Sequence, residues 1–227
     1  MEEKFVGWET SSLIRINVFV EGQTEETFIR DLLIPYFSHN QIYLTPIIAE
    51  TSPGHKGGIV SYGKIQRQIR RLCQSDSSAY VTTMIDYYGL PKDFPDLKKT
   101  GNQNLYDKVN SLEKAFEQDI SAPNFLAHLQ VHEFEALLFC QPMEFSEWFD
   151  DDAIGKKLLE EKGDFDSPEH INNDKNTAPS KRIIAAIPHY RKVLHGPLIA
   201  ESIGIDEMRK QCFHFNDWIE RLMRLKK

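Results

Sequence analysis

Apolar and β-branched residues dominate LIRINVFVEG (Leu13 to Gly22), and the run stops on a charge, Glu21, and a glycine. That pattern predicts a strand. TEETFIRDLLIPYF follows, with Thr24 placed as an N-cap, acids in the first turn, Phe28 and Leu32 at helical spacing, and Pro35 ending or bending the helix. IYLTPIIAE predicts a second strand, on which Pro46 points to an edge or a bend. Beyond the loop SPGHKGG, IVSYGKIQRQIRRLCQ reads as a helix with Ile65, Ile69 and Leu72 on one side and a basic face opposite. AYVTTMIDYYG (Ala79 to Gly89) is a third strand that again runs from apolar residues into an acid. A proline-rich loop then leads into the helix LYDKVNSLEKAFEQDI, and NFLAHLQVHEFEALLF begins as a strand and ends as a helix.

Alternating strands and helices argue for an α/β fold with a mainly parallel sheet flanked by helices. From Pro142 the chain turns polar and helical. EEKGDFDSPEHINNDKNTAPSKR reads as a long exposed connection, and SIGIDEMRKQCFHFNDWIERLMRL as one or two closing helices. The expected organisation is an α/β core over 1–141 and a helical C-terminal extension over 142–227, packed together as a single globular unit.

Composition is that of a soluble protein, 41% hydrophobic and 27% charged, and no apolar run approaches the ~20 residues a membrane span needs. MEEKFVGWETSS lacks the basic-then-apolar design of a signal peptide, so a cytoplasmic protein is expected. The 3 cysteines, Cys73, Cys140 and Cys212, lie far apart, which excludes a full disulfide framework or a CxxC zinc site. Net charge is −7, whereas nucleic-acid binders usually carry a basic footprint. Acting alone, this chain should hold DNA or RNA weakly, needing a partner or bridging divalent cations.

Ligands of parallel α/β sheets collect outside the carboxyl ends of the strands. Glu21 and Asp86 both stand at such an end, each followed closely by a glycine, Gly22 and Gly89. Hard divalent cations take oxygen ligands of this kind. Glu25 comes in the first helical turn after Glu21 and could reach the same site, while Glu26 reads as a complement to the helix dipole. HEFEALLF (His132 to Phe139) adds further acids; Ala136 rules out HExxH. A helix would put His132 and Glu135 on one face, and a strand would point Glu133 and Glu135 the same way.

Together VFVEGQTEETFIRDLL, VTTMIDYYGLPKDFP, HEFEALLF and CFHFNDWIERL resemble an uncharacterised bacterial family of Toprim-like proteins, over nearly the whole chain. Toprim domains occur in topoisomerases, primases and the OLD-type nucleases of phage defence. The resemblance implies a Toprim-like, Rossmann-like fold with Mg²⁺ or Mn²⁺ held between a strand-end Glu and a later Asp-x-Asp. Glu21 matches the first acid, Asp86 the first Asp, and Glu25 the extra acid of OLD-like nucleases. Tyr88 stands where the second Asp belongs. Either Glu133 or Glu135 supplies the missing carboxylate, or the site holds one metal only.

Phosphoryl transfer also wants positive groups over the developing charge. PSKRI offers Lys181 and Arg182 at a predicted helix start; Lys56 in GHKGG reads as a solvated loop lysine. His189, His195 and His214 show no ligand spacing and read as structural. The leading expectation is a metal-dependent nuclease or phosphodiesterase of the Toprim type, in phage defence. Glu21, Asp86 and Glu25 would hold the metal with Glu133 or Glu135, and Lys181 or Arg182 would stabilise the transition state. The alternative is a catalytically degenerate Toprim fold, a sensor or effector subunit that binds a partner such as an ATPase.

Overall fold

A computed structural model describes residues 13–52, 55–58, 61–101, 103–163, 165–171 and 176–226. The opening MEEKFVGWETSS and part of SPGHKGG lie outside them. Strand β1 (Ile14–Val20) is central, pairing in parallel with β2 (Ile42–Ile48) on one side and β5 (Tyr80–Asp86) on the other. Two short strands, β6 (Phe125–Leu126) and β7 (Leu129–Gln130), add in parallel to successive parts of β5. Directly after β2 in the chain, β3 (Glu50–Ser52) and β4 (His55–Lys56) make a separate antiparallel ribbon. Pro46 sits in β2, which ends the sheet path, where a missing N–H costs no ladder bond to a further strand.

Both faces of the sheet are covered, so its strands read as apolar runs rather than as alternation. Ile16, Val18 and Val20 enter one core, and Phe19 enters the other. Helices α3 (Tyr62–Ser75) and α4 (Leu105–Ile120) fill the second core with Ile65, Ile69, Val109, Leu112 and Phe116. The first core is closed by α1 (Gln23–Phe28), α2 (Ile34–Ser38), α5 (Glu144–Phe149), α6 (Asp152–Gly163), α7 (Pro179–Ala186), α8 (Lys192–Ile203), α9 (Ile205–Gln211) and α10 (Phe213–Met223). Trp218 of α10 is buried there and donates from Nε1 to the Thr82 hydroxyl of β5 at 3.0 Å.

Three local expectations are corrected. The N-cap of α1 is Gly22, not Thr24: Glu25 Oε2 accepts the Gly22 N–H at 3.0 Å, and Thr24 is buried within the helix. HEFEALLF is not an α-helix. His132 adopts φ 59°, turning the chain out of β7, and Phe134–Cys140 winds as a fully buried 3-10 segment. The stretch after Glu160 is not simply exposed, because Pro168, Glu169 and Ile171 are buried. Glu169 accepts the N–H groups of His214 and Phe215 and the Tyr106 hydroxyl, capping α10, which has no side-chain cap of its own.

Candidate metal centre

Val20 pairs in register with Met84, so β1 and β5 release Glu21 and Asp86 at nearly the same level of the sheet edge. Gly22 keeps an extended backbone (φ −155°), so it serves as a cap; Gly89, at φ 88°, makes the turn after β5. Asp86 Oδ1 accepts the N–H of Phe134 at 3.0 Å, which fastens the 3-10 segment to the end of β5. That bond brings Glu133 and Glu135 to the same edge. Glu133 accepts the N–H of Ser180 at the start of α7, and Glu135 is fully buried.

Into this cluster comes a cation that the sequence did not single out. Lys192, first residue of α8, places Nζ 2.9 Å from Glu135 Oε2 and 3.8 Å from Asp86 Oδ2. The Glu135 contact is an ion pair, and among the described residues no other side chain donates a hydrogen bond to its oxygens. Helix α8 comes close because residue 196 is glycine. A Cβ there would stand 3.1 Å from both the Phe134 ring and the Tyr190 hydroxyl.

Burial, then the charge of Glu25, pushes the Glu21 carboxyl up to about 7, with Lys192 and a backbone bond from Asp86 opposing. Burial also raises Asp86 well above the usual carboxylate range, helped by Glu25, Glu21 and Glu135 and opposed by Lys192. Glu135 is pushed to about 7, by burial and by Glu133 against Lys192. For Lys192, burial lowers the pKa, but Glu135, Asp86 and Glu25 outweigh it and raise it. One ammonium thus faces several carboxylates in a poorly solvated edge, an arrangement that favours protons or further cations.

Residues 20–223 match the model of the family described as Domain of unknown function (DUF4276). The chain belongs to that family. Glu21, Glu25, Asp86, Glu133, Glu135 and Lys192 all fall inside the matched span. No curated protein matches the chain. Among solved structures it is similar to the C-terminal region of the Burkholderia pseudomallei OLD protein, at 12% identity and a TM-score of 0.47, over 94% of this chain and 99% of that one. It is also similar to the C-terminal region of the Xanthomonas campestris pv. campestris OLD protein, at 14% identity and a TM-score of 0.41, over 91% and 97%. Both likenesses are distant.

Hard oxygen donors of net negative charge suit Mg²⁺ or Mn²⁺. The acids do not form a closed shell as they stand. Among the described residues, the one set of three ligand atoms lying within 4.8 Å of one another is Glu113, His128 and His214. A small cation at the strand ends would therefore keep waters, as Mg²⁺ commonly does, or draw the acids inward.

By distance the Glu113 group could hold an ion, but its geometry is that of a hydrogen-bonded hub. Glu113 Oε1 lies 2.8 Å from His214 Nε2 and accepts the Leu129 N–H at 2.7 Å. The guanidinium of Arg221 stands 3.7 Å from Oε2. The His128 and His214 rings stack at 5.1 Å and 19°, with Trp218 stacked on His128 at 4.4 Å. Imidazole lone pairs lie in the ring plane, so near-parallel stacked rings cannot both aim at one ion. Burial, then His214 and Arg221, lowers His128 well below its usual pKa. For His214, burial lowers the pKa but Glu113 outweighs it and raises it.

Of the predicted basic pair, Arg182 is engaged away from the acids. Arg182 donates to the Thr177 carbonyl, pairs with Glu161 at 2.9 Å and lies over the Phe165 ring. Lys181 is exposed on α7, whose first turn Glu133 caps. No described helix is long and apolar enough to cross a membrane.

Proposed function

We propose that the strand-end acids hold Mg²⁺ or Mn²⁺ and that the protein is a metal-dependent phosphodiesterase acting on DNA or RNA. On the sequence resemblance, its setting is phage defence. One observation carries the reading: adjacent parallel strands deliver Glu21 and Asp86 to one edge, where both carboxyls are raised by burial and by the charge of Glu25. A bound ion would act as a Lewis acid toward a phosphate oxygen. Glu21 and Asp86 are the principal holding groups, and Glu25 and Glu135 border them. Glu133, engaged with α7, orients the 3-10 segment. Lys192, within reach of Asp86, is the group placed to neutralise charge developing on the phosphate, the role the sequence assigned to Lys181 or Arg182.

The test is direct. Wild type with Mn²⁺ should cleave single-stranded DNA, duplex DNA or RNA, and Glu21→Gln and Asp86→Asn should abolish both cleavage and Mn²⁺ binding. Variants that bind Mn²⁺ as wild type does would overturn the site.

Tyr88, in place of a second Asp, favours a second reading: a non-cleaving sensor or effector subunit that binds a partner such as an ATPase. Intact substrate in every assay, together with a stable complex with that partner, would support it.

A further inference from the structure

Lys192 stands between two of the acids, 2.9 Å from Glu135 and 3.8 Å from Asp86. Glu135 is fully buried, and among the described residues Lys192 is its one cationic partner. The acid oxygens, meanwhile, are spread too widely to present a three-ligand set. Two of them flank an ammonium group, which needs wider spacing than Mg²⁺ at about 2.0–2.1 Å from its ligands. Resting on the metal reading above, we infer that Lys192 is the internal counter-cation of the unloaded site, and that it must withdraw from Asp86 and Glu135 when a divalent ion binds.

The fold gives it room to move. Pro197 lies inside α8 and has no N–H, so the Val193 carbonyl lacks its usual helical partner. The first turn of α8, which carries Lys192, thus lacks one of its helical bonds immediately beside that residue. Lys192 is also 38% exposed, so a path from the acids to solvent is open. Two like charges cannot share Asp86 at short range without strong repulsion, which makes ammonium and metal alternatives at that carboxylate. In the loaded state the displaced ammonium would lie at the rim, where a substrate phosphate approaches.

Two measurements on the full chain test this. Mn²⁺ binding, followed by electron paramagnetic resonance, should be about tenfold tighter for Lys192→Met than for wild type. In wild type, acetylation of Lys192 by acetic anhydride, read by peptide mass spectrometry, should rise several-fold on saturation with Mg²⁺. Equal Mn²⁺ affinity in the two proteins would overturn the inference and leave the metal site standing. So would Lys192 reactivity that is unchanged or falls with Mg²⁺, a result that does not depend on the variant folding. If neither protein binds Mn²⁺, the metal reading itself fails, and the inference with it.

Discussion

The Gly22 N–H donates to Glu25 Oε2 at 3.0 Å, so the acid nearest Glu21 along α1 also caps the helix it belongs to. Cap and ligand can be separated by substitution. Glu25→Gln keeps an acceptor oxygen and should change stability by under about 0.5 kcal/mol. Glu25→Ala should lose about 1 kcal/mol in urea denaturation. Both should weaken Mn²⁺ binding if the carboxylate borders the ion; a Gln variant with unchanged affinity would reduce Glu25 to a cap.

Stability without metal should depend on pH through Glu21 and Glu135. Their folded-state values, about 7, lie above the ordinary 4.5. A raised carboxyl holds its proton in the folded state after the unfolded chain has released it. Its stabilising contribution is therefore complete below pH 4.5 and is lost as pH rises to about 7. The stability difference between wild type and Glu135→Gln, measured from pH 4 to 8, should fall across that window. Saturating Mg²⁺ should flatten it, because the ion takes the proton's place.

Glu169 should be among the costliest polar residues to remove. Glu169→Ala leaves the His214 and Phe215 N–H groups and the Tyr106 hydroxyl without their acceptor, at about 2–5 kcal/mol. Glu169→Gln should cost less, since one acceptor oxygen remains. Thermal denaturation would check both, with Mn²⁺ affinity in the folded proteins expected to stay at the wild-type value.

The Glu113 hub makes a prediction by metal removal. Dialysis against 1,10-phenanthroline in saturating Mg²⁺, which takes zinc and leaves Mg²⁺, should leave the melting temperature unchanged, and no stoichiometric zinc should copurify. In proton-detected titrations, Glu113→Gln should lower the His214 pKa, since the neighbouring charge that raises it is gone. One bound zinc per chain, lost together with thermal stability on chelation, would show that the rings can turn toward an ion.

Arg182 and Lys192 should separate cleanly in cleavage assays. Arg182→Ala breaks the Glu161 pair and should cost stability while cleavage stays within a few-fold of wild type. Lys192→Met should lower turnover by about 10²–10³, the usual effect of removing a group that stabilises transition-state charge. Turnover of Lys192→Met within a few-fold of wild type would put Lys192 outside the reaction.

The parts of the site that lie on sheet strands were legible, because a strand buried on both faces announces its end when a charge appears. Glu21 and Asp86 are such endings, and parallel pairing aligns them. HEFEALLF was legible as acids near the site but not as geometry, since its course is set by the left-handed φ of His132 and by the Asp86–Phe134 bond. Lys192 was not legible. It opens a helix far along the chain, in YRKVLHG, with nothing local to distinguish it from a solvated lysine. Glu169 was hidden similarly, its burial depending on α10 needing a cap from outside. Arg182 had the right residue type and a plausible helix start, but Glu161 claims it first.

Residue 196 carries a last consequence. The closeness of α8 to Phe134 and Tyr190 is limited by van der Waals contact at a position with no side chain. The depth of the Lys192 ammonium among the acids is therefore a matter of helix seating, fixed one turn away from the charge itself. A single methyl group at that seat would act as a shim, lifting the ammonium without altering any group that bears charge. Reactivity at the strand ends could thus be tuned by steric fit alone, with every ionisable residue left in place.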